Sequence, residues 1–183
     1  MPTTTNDPEA FATGRLDLVP LRAAHAQEMA RVLSDPALHT FIGGSPATAD
    51  ELRARYARQC AGSPDPAVTW WNWVIRLRTE GVAAGTVQAT LSGPVAEIAW
   101  VVGTEWQGRG IASEAAVGLV ALVGEVPGVR TVIAHIHPDH VASAGVARAA
   151  GLRPTGEWQD GEERWRVSPL GVPPAPGLFP AGG

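Results

Sequence analysis

The stretch Trp100-Val101-Val102-Gly103-Thr104-Glu105-Trp106-Gln107-Gly108-Arg109-Gly110-Ile111-Ala112 constrains the fold more than any other part of the chain. An apolar strand pattern runs into a loop with small residues at 108, 110 and 112. It continues directly into Ile111, Ala115, Leu119 and Leu122, the spacing of one helix face. A second apolar strand follows at Thr131 to Ile136, which makes a β-α-β unit whose strands are parallel and joined by a right-handed crossover. Glycine permits the tight turn, and small residues let an anion approach the backbone. The unpaired N–H groups of a helix start, at the positive end of its dipole, attract that anion. Arg109 adds a charge suited to a pyrophosphate. On spacing alone, a tight turn with a glycine-started helix accounts for the pattern equally well.

Two nucleotide-loop motifs are excluded. Glu114 and its neighbours supply no third glycine for GxGxxG, and GxxxxGK[ST] is impossible because all 14 basic residues are arginine. The absence of lysine also removes Schiff-base and lysine-nucleophile chemistry.

Around this unit the hydrophobic period switches several times. Arg15 to Leu21 reads as a short edge strand, given its proline. Ala23 to Leu33 is helical and ends at Asp35-Pro36; Thr48 to Gln59 opens with Thr48 and Glu51 in capping-box spacing. Val68 to Leu77, Ala83 to Leu91 and Ala96 to Val102 read as successive antiparallel strands, with Gly81 at the first turn. Asp139 is a cap candidate for a helix that Gly151 closes, and Gly156 to Val167 holds one or two final strands. The expected organisation is a flexible N-terminus over 1–12, a domain over 13–168, and a tail over 169–183 rich in proline and glycine.

Hydrophobic residues make up 45% of the 183 and charged residues 17%, a globular composition. The net charge of −4 and the lack of a basic run argue against nucleic acid or an anionic membrane as partner. Cys60 is the single cysteine, the N-terminus has no signal-peptide core, and no apolar run reaches the roughly 18 residues of a membrane span. The expectation is a cytoplasmic protein.

His135-Ile136-His137-Pro138-Asp139-His140 spells H-x-H-x-D-H, a string also used by zinc hydrolases. Alternate histidines on one strand face, with a carboxylate and a histidine on the turn, suit a metal locally. No histidine follows His140 to complete such a centre, so no metal is expected and a zinc hydrolase stands third among the readings.

Gln107-Gly108-Arg109-Gly110-Ile111-Ala112 matches the signature Q/R-x-x-G-x-G/A of the GNAT superfamily of acyl-CoA-dependent N-acetyltransferases, which this sequence resembles over about residues 12 to 168. Ala96-Glu97-Ile98-Ala99-Trp100, Ile111 to Ala115, and His137-Pro138-Asp139-His140-Val141-Ala142-Ser143 are similar to the branch that acetylates N-terminal amines of ribosomal proteins. The resemblance implies an α+β fold. Its sheet is mixed and mostly antiparallel, of six to seven strands, with a central splayed parallel pair and helices on both faces.

It also implies acetyl-CoA as acyl donor, held by Trp100, Val101, Val102, Gln107 to Ala112, His140 and Ser143, with main-chain groups near Trp100 and Val102 freed by a bulge. His140 stands where the branch has asparagine, and Ser143 is placed to protonate the leaving thiolate. Glu97 is the general-base candidate, with His135 and Glu157 in reserve. Strand parity puts Glu97 opposite Trp100, so a bulge would be needed to bring them together. Trp71 and Trp73 share one strand face and are candidates to hold a cationic acceptor. The acceptor is a primary amine, of a protein N-terminus or a small molecule. An acyl-CoA-binding protein without turnover is the alternative. Homodimers are common in the family it resembles.

Overall fold

The computed structural model describes residues 7–167. Residues 1–6 of the expected flexible N-terminus and the tail over 169–183 lie outside the described residues. In chain order the elements are β1 (Phe11–Ala12), β2 (Leu16–Pro20), α1 (Ala26–Val32), α2 (His39–Ile42), α3 (Ala49–Ala61), β3 (Val68–Leu77), β4 (Ala83–Ser92), β5 (Val95–Val102), α4 (Ile111–Gly124), β6 (Thr131–Ile136), α5 (Val141–Ala149), β7 (Arg153–Gln159) and β8 (Glu162–Val167).

Eight strands form one sheet in the order β1-β2-β3-β4-β5-β6-β8-β7. Every neighbouring pair is antiparallel except β5 and β6, which are parallel. The eighth strand, β1, falls in the stretch expected to be flexible. Phe11 pairs with Leu18, its ring meets Trp73 edge-on at 5.5 Å, and the carbonyl of Glu9 accepts from the Trp73 indole at 2.8 Å. A buried indole N–H needs an acceptor, and this chain supplies it from the segment before β2.

Local chemistry sets the boundaries. The Thr48 hydroxyl accepts from Glu51 N–H while the Glu51 carboxylate accepts from Thr48 N–H, so α3 opens with the expected capping box. Asp160 and Gly161, both at positive φ, turn β7 into β8. The helix after β6 opens at His140, with no side-chain cap from Asp139.

Parity sorts the sheet into two faces. Ile75, Val87, Ile98 and Val132 point to the face covered by α4 and α5, where they form the main core with Ile111, Leu119 and Val146. Val74 and Ala83 meet Met29, Leu52 and Tyr56 under α1 and α3 on the other face. A fully buried leucine or isoleucine contributes roughly 1.5–3 kcal/mol, so the larger core on the α4 side carries most of the stability. Among the described residues no helix is long and apolar enough to cross a membrane.

Candidate active site

The parallel pair opens within a few residues. β5 meets β6 only at Val95–Thr131, Ala96–Val132 and Glu97–Ile133, although β5 runs on to Val102 and β6 to Ile136. Alternation along β5 decides which main-chain groups the divergence exposes. Pro94 O accepts from Arg130 and Thr131 N–H on the β6 side, and Gly103 N–H donates to Ala84 O on the β4 side. Trp100 and Val102 therefore turn their N–H and C=O groups toward the gap, where β6 no longer pairs with them. The Gln107 side chain occupies one of these groups, donating from Nε2 to Val102 O at 3.0 Å.

The bulge expected in β5 is absent. β4 and β5 stay in register from Gly85–Val102 to Ser92–Val95 without a shift. Splay alone frees the edge, since pairing with β6 stops after Glu97 while β5 keeps its register with β4. Val101, named with Trp100 and Val102, pairs its main chain with β4 and contributes only its side chain to the gap.

The loop ahead of α4 has the form a pyrophosphate requires. Gly108 and Gly110 both sit at φ +75°, and Gly110 is the N-cap of α4. In this left-handed region a side chain is strained. A Cβ on Gly110 would also lie 3.4 Å from Arg15 Nη2. The N–H groups of Ile111 and Ala112 are among those a helix start leaves unpaired; the Ile111 side chain itself is buried in the core. The Arg109 guanidinium lies over the Trp106 ring, 4.9 Å from its centroid.

Glu114, one turn into α4, is a residue the sequence reading passed over except as a missing glycine. It accepts from the Thr13 hydroxyl at 2.6 Å, Arg15 N–H at 2.7 Å and Arg15 Nε at 2.7 Å. Burial raises its pKa, but the Thr13 and Arg15 donors outweigh burial and hold the carboxyl below its ordinary value. The contact ties α4 to the β1–β2 hairpin.

Two cavities meet across the open edge of β5. One, about 410 Å³, is lined by Val102, Gln107 and Ala112 on one side and Ala142 and Val146 on the other. The second, about 430 Å³, is lined by Gln88, Glu97, Ala99, His135 and Glu162. They share Phe41, Ile42, Trp100, Val101, His140 and Ser143. The two cavities adjoin at these six residues; the first also touches Gln107 and Ala112, which flank the glycine loop, and the second lies on the Glu97 face of the sheet.

Glu97 stands on the second side, on the face parity requires. Its Oε1 lies 2.8 Å from His135 Nδ1, and Arg164 Nε donates to His135 Nε2 at 3.5 Å. An arginine can only donate, so Nε2 carries the lone pair and Nδ1 the proton that points to Glu97. His135 therefore orients the carboxylate. The Arg164 guanidinium is held in turn by Glu157 at 2.8 Å, which takes Glu157 away from a base role.

Ser143 lies in the first turn of α5, its Oγ 3.4 Å from His140 Nε2. The His140 ring stacks on Phe41, with centroids 4.3 Å apart and planes at 10°, and His137 tilts against the same ring at 5.3 Å. Burial, and next the nearby His137, push the His140 pKa down against the opposing pull of Glu162, so the ring is neutral at pH 7. Phe41 and Ile42 come from α2, a four-residue helix too short to leave a periodic signal in the sequence.

One reading is corrected. Trp71 and Trp73 do not line the cavity that holds Glu97. Trp73 is fully buried beneath α4 and Trp71 packs on the same core, because odd positions of β3 face α4. Trp70, Asn72 and, across the ladder, Gln88 hold the other face. Nor does the H-x-H-x-D-H string converge: His135 turns to Glu97 while His137 and His140 turn to Phe41. Among the described residues no three His, Cys, Asp or Glu side chains are grouped to hold a metal ion.

The sequence matches the family described as Acetyltransferase (GNAT) domain over residues 15–153. No curated protein matches it significantly. Several solved structures share the fold. An acetyltransferase of the GNAT family from Bacillus anthracis superposes with a TM-score of 0.75 at 18% identity, covering 87% of this chain and 98% of that one. The ribosomal-protein alpha-N acetyltransferase RimL, in complex with coenzyme A, gives 0.71 at 18% identity over 87% and 98%. The aminoglycoside acetyltransferase AAC(6')-Ib, in complex with coenzyme A, gives 0.70 at 16% identity over 84% and 94%.

Proposed function

Because the chain belongs to the GNAT acetyltransferase family, we propose that it moves an acetyl group from acetyl-CoA to a primary amine, of a protein N-terminus or a small molecule. The observation that carries the reading is the pair of cavities meeting at the unpaired edge of β5. One side suits a pantetheine arm and pyrophosphate; the other holds a carboxylate and is open to an acceptor. The similar proteins named above act, by their names, on a protein α-amine and on an aminoglycoside, which supports an amine without choosing between these classes.

In this mechanism the glycine loop and the start of α4 bind the pyrophosphate, with Arg109 adding charge. Trp100 and Val102 offer main-chain partners to the pantetheine amides, and an N–H on this edge stabilises the oxyanion as the amine attacks. A C–N bond forms to the carbonyl carbon. Glu97, oriented by His135, takes the amine proton directly or through a water. The C–S bond then breaks, and the thiolate leaves with a proton from Ser143, whose oxygen regains one from water. A single cysteine suits a reducing, cytoplasmic setting for this chemistry.

Calorimetry with acetyl-CoA, with CoA as comparison, tests the donor half. Micromolar binding is expected, lost in Gly110→Val. Thiol release with a panel of primary amines tests the acceptor half, and Glu97→Gln is expected to lower turnover by about 10²–10⁴ without loss of acetyl-CoA affinity. Absence of acetyl-CoA binding would refute the reading. Binding without thiol release from any amine would favour a protein that holds acyl-CoA and does not turn it over.

A further inference from the structure

Beside the acceptor side lies a third cavity, of about 130 Å³, enclosed between α2, α3 and the sheet. Ile42 and Val101 line it and also line both cavities of the active site, so it adjoins them. Among the described residues four buried side-chain polar atoms have no hydrogen-bond partner. Three of them, His39 Nε2, Tyr56 Oη and Gln59 Oε1, belong to residues that line this one cavity. Buried polar groups are nearly always paired, so three orphans together mark a place where water or a ligand supplies the partners.

The chemistry of that partner follows from what each atom can do. His39 Nδ1 lies 3.1 Å from Gly43 O, which only accepts, so the proton is on Nδ1 and Nε2 presents a lone pair. The Gln59 amide nitrogen is turned to Asn72 Oδ1 at 3.4 Å, which leaves Oε1 as an acceptor. Tyr56 is 4% exposed, and burial pushes its phenol up to about 12, so it stays an O–H that can donate or accept. Two fixed acceptors and one hydroxyl ask for a ligand with hydrogen-bond donors. Arg55 lines the same cavity and repels a cation. A water needs only about 10–15 Å³ of such space, so the cavity has room for a short polar chain end in place of several waters.

We propose that this cavity is a subsite for the acceptor's far end, taking a neutral hydrogen-bond-donating group, a hydroxyl or a carboxamide, while the reacting amine lies in the neighbouring cavity at Glu97. The proposal rests on the acetyl-transfer reading for the second half of that statement and on the three orphaned atoms for the first. It selects among amines: a site built to hydrogen-bond a hydroxyl rejects the analogue that lacks one.

Tyr56 is the only tyrosine, so protein labelled with ring-¹³C tyrosine reports on this cavity through one residue. The labelled protein, alone and with CoA, is titrated with 5-aminopentan-1-ol, 5-aminopentanamide and hexylamine, which share length and differ at one end. The expected result is a saturable shift of the Tyr56 signals with the first two, at about tenfold or greater affinity over hexylamine. Tyr56→Phe removes no existing protein hydrogen bond and should fold. It is expected to raise the KM of the amino alcohol about fivefold or more in the thiol-release assay, leaving that of hexylamine and the acetyl-CoA affinity unchanged. Equal binding of all three probes, or the absence of a Tyr56 shift, would overturn the subsite. A Tyr56 shift without thiol release would leave the subsite standing and refute acetyl transfer to these amines; thiol release without a Tyr56 shift would do the reverse.

Discussion

Replacing Glu114 by alanine cuts the tie between α4 and the β1–β2 hairpin, and the loss can be worked from its contacts. The carboxylate is 20% exposed and accepts from the Thr13 hydroxyl, Arg15 N–H and Arg15 Nε. Bonds to a charged group are worth about 1.5–3 kcal/mol when buried; at this partial exposure about 1 kcal/mol each is appropriate for the first two. The Arg15 side chain is 57% exposed, so the third is a surface pair worth under about 1 kcal/mol. The sum is about 2–3 kcal/mol. At roughly 2–4 °C per kcal/mol for a chain of this size, calorimetry should find Tm lowered by about 4–12 °C. The carboxyl's pKa is depressed in the fold, so its contribution is complete above the unfolded value near 4.3 and is lost as pH falls through the lower folded value. The gap between wild type and Glu114→Ala should therefore be constant from about pH 6 to 8 and close below about pH 4. A double-mutant cycle with Thr13→Ala should show coupling of about 1 kcal/mol. A Tm change under about 2 °C, or a gap that widens on acidification, would refute the assignment of Glu114 as the tie.

Two further outcomes follow from the corrected site. Trp73→Phe strands the Glu9 carbonyl and leaves space under α4, so stability should fall by about 1–2 kcal/mol in chemical denaturation while the KM for amines is unchanged; a raised KM would return this face to the acceptor. Phe41→Ala removes the ring stacked on His140, so NMR titration should find the His140 pKa moved up toward 6.5, and the acceptor KM should rise several-fold. Because the folded value is depressed, stability is complete above 6.5 and declines as pH falls through the folded value; that decline should be smaller in Phe41→Ala.

The donor half of the site could be read from the sequence because it is local. Gln107 to Ala112 are contiguous, their spacing fixes a turn and a helix start, and β3 and β6 occupy the residues their composition predicts. The edge of β5 is nearly as local, since Pro94 and Gly103 at its two ends settle which residues face the gap. The expected bulge failed for a reason outside that segment. The strands diverge after Glu97 while β5 stays in register with β4, so no irregularity within β5 is required.

The Glu97 side of the site is built across the sheet and between helices, and single-strand parity cannot say which face a helix will cover. Trp71 and Trp73 were correctly placed together and assigned to the wrong side. What settles the matter is the number of apolar partners each face can recruit. Odd positions of β3 align through the antiparallel registers with Val87, Ile98 and Leu18, enough to bury them under α4. Even positions align with Gln88 and Thr86, so that face keeps a polar strip beside Glu97 on which α3 rests only at its edge. Phe41, Tyr56 and His39 reach the strip from α2 and α3. Their role depends on contacts more than ten residues away, between segments that share no motif. The same division has a functional consequence. Changes at His39, Tyr56 and Gln59 alter what lines the smaller cavity between α2, α3 and the sheet without touching the glycine loop or the larger core. Substitutions at His39, Tyr56 or Gln59 should therefore change which amine is accepted while acetyl-CoA binding and most of the stability remain.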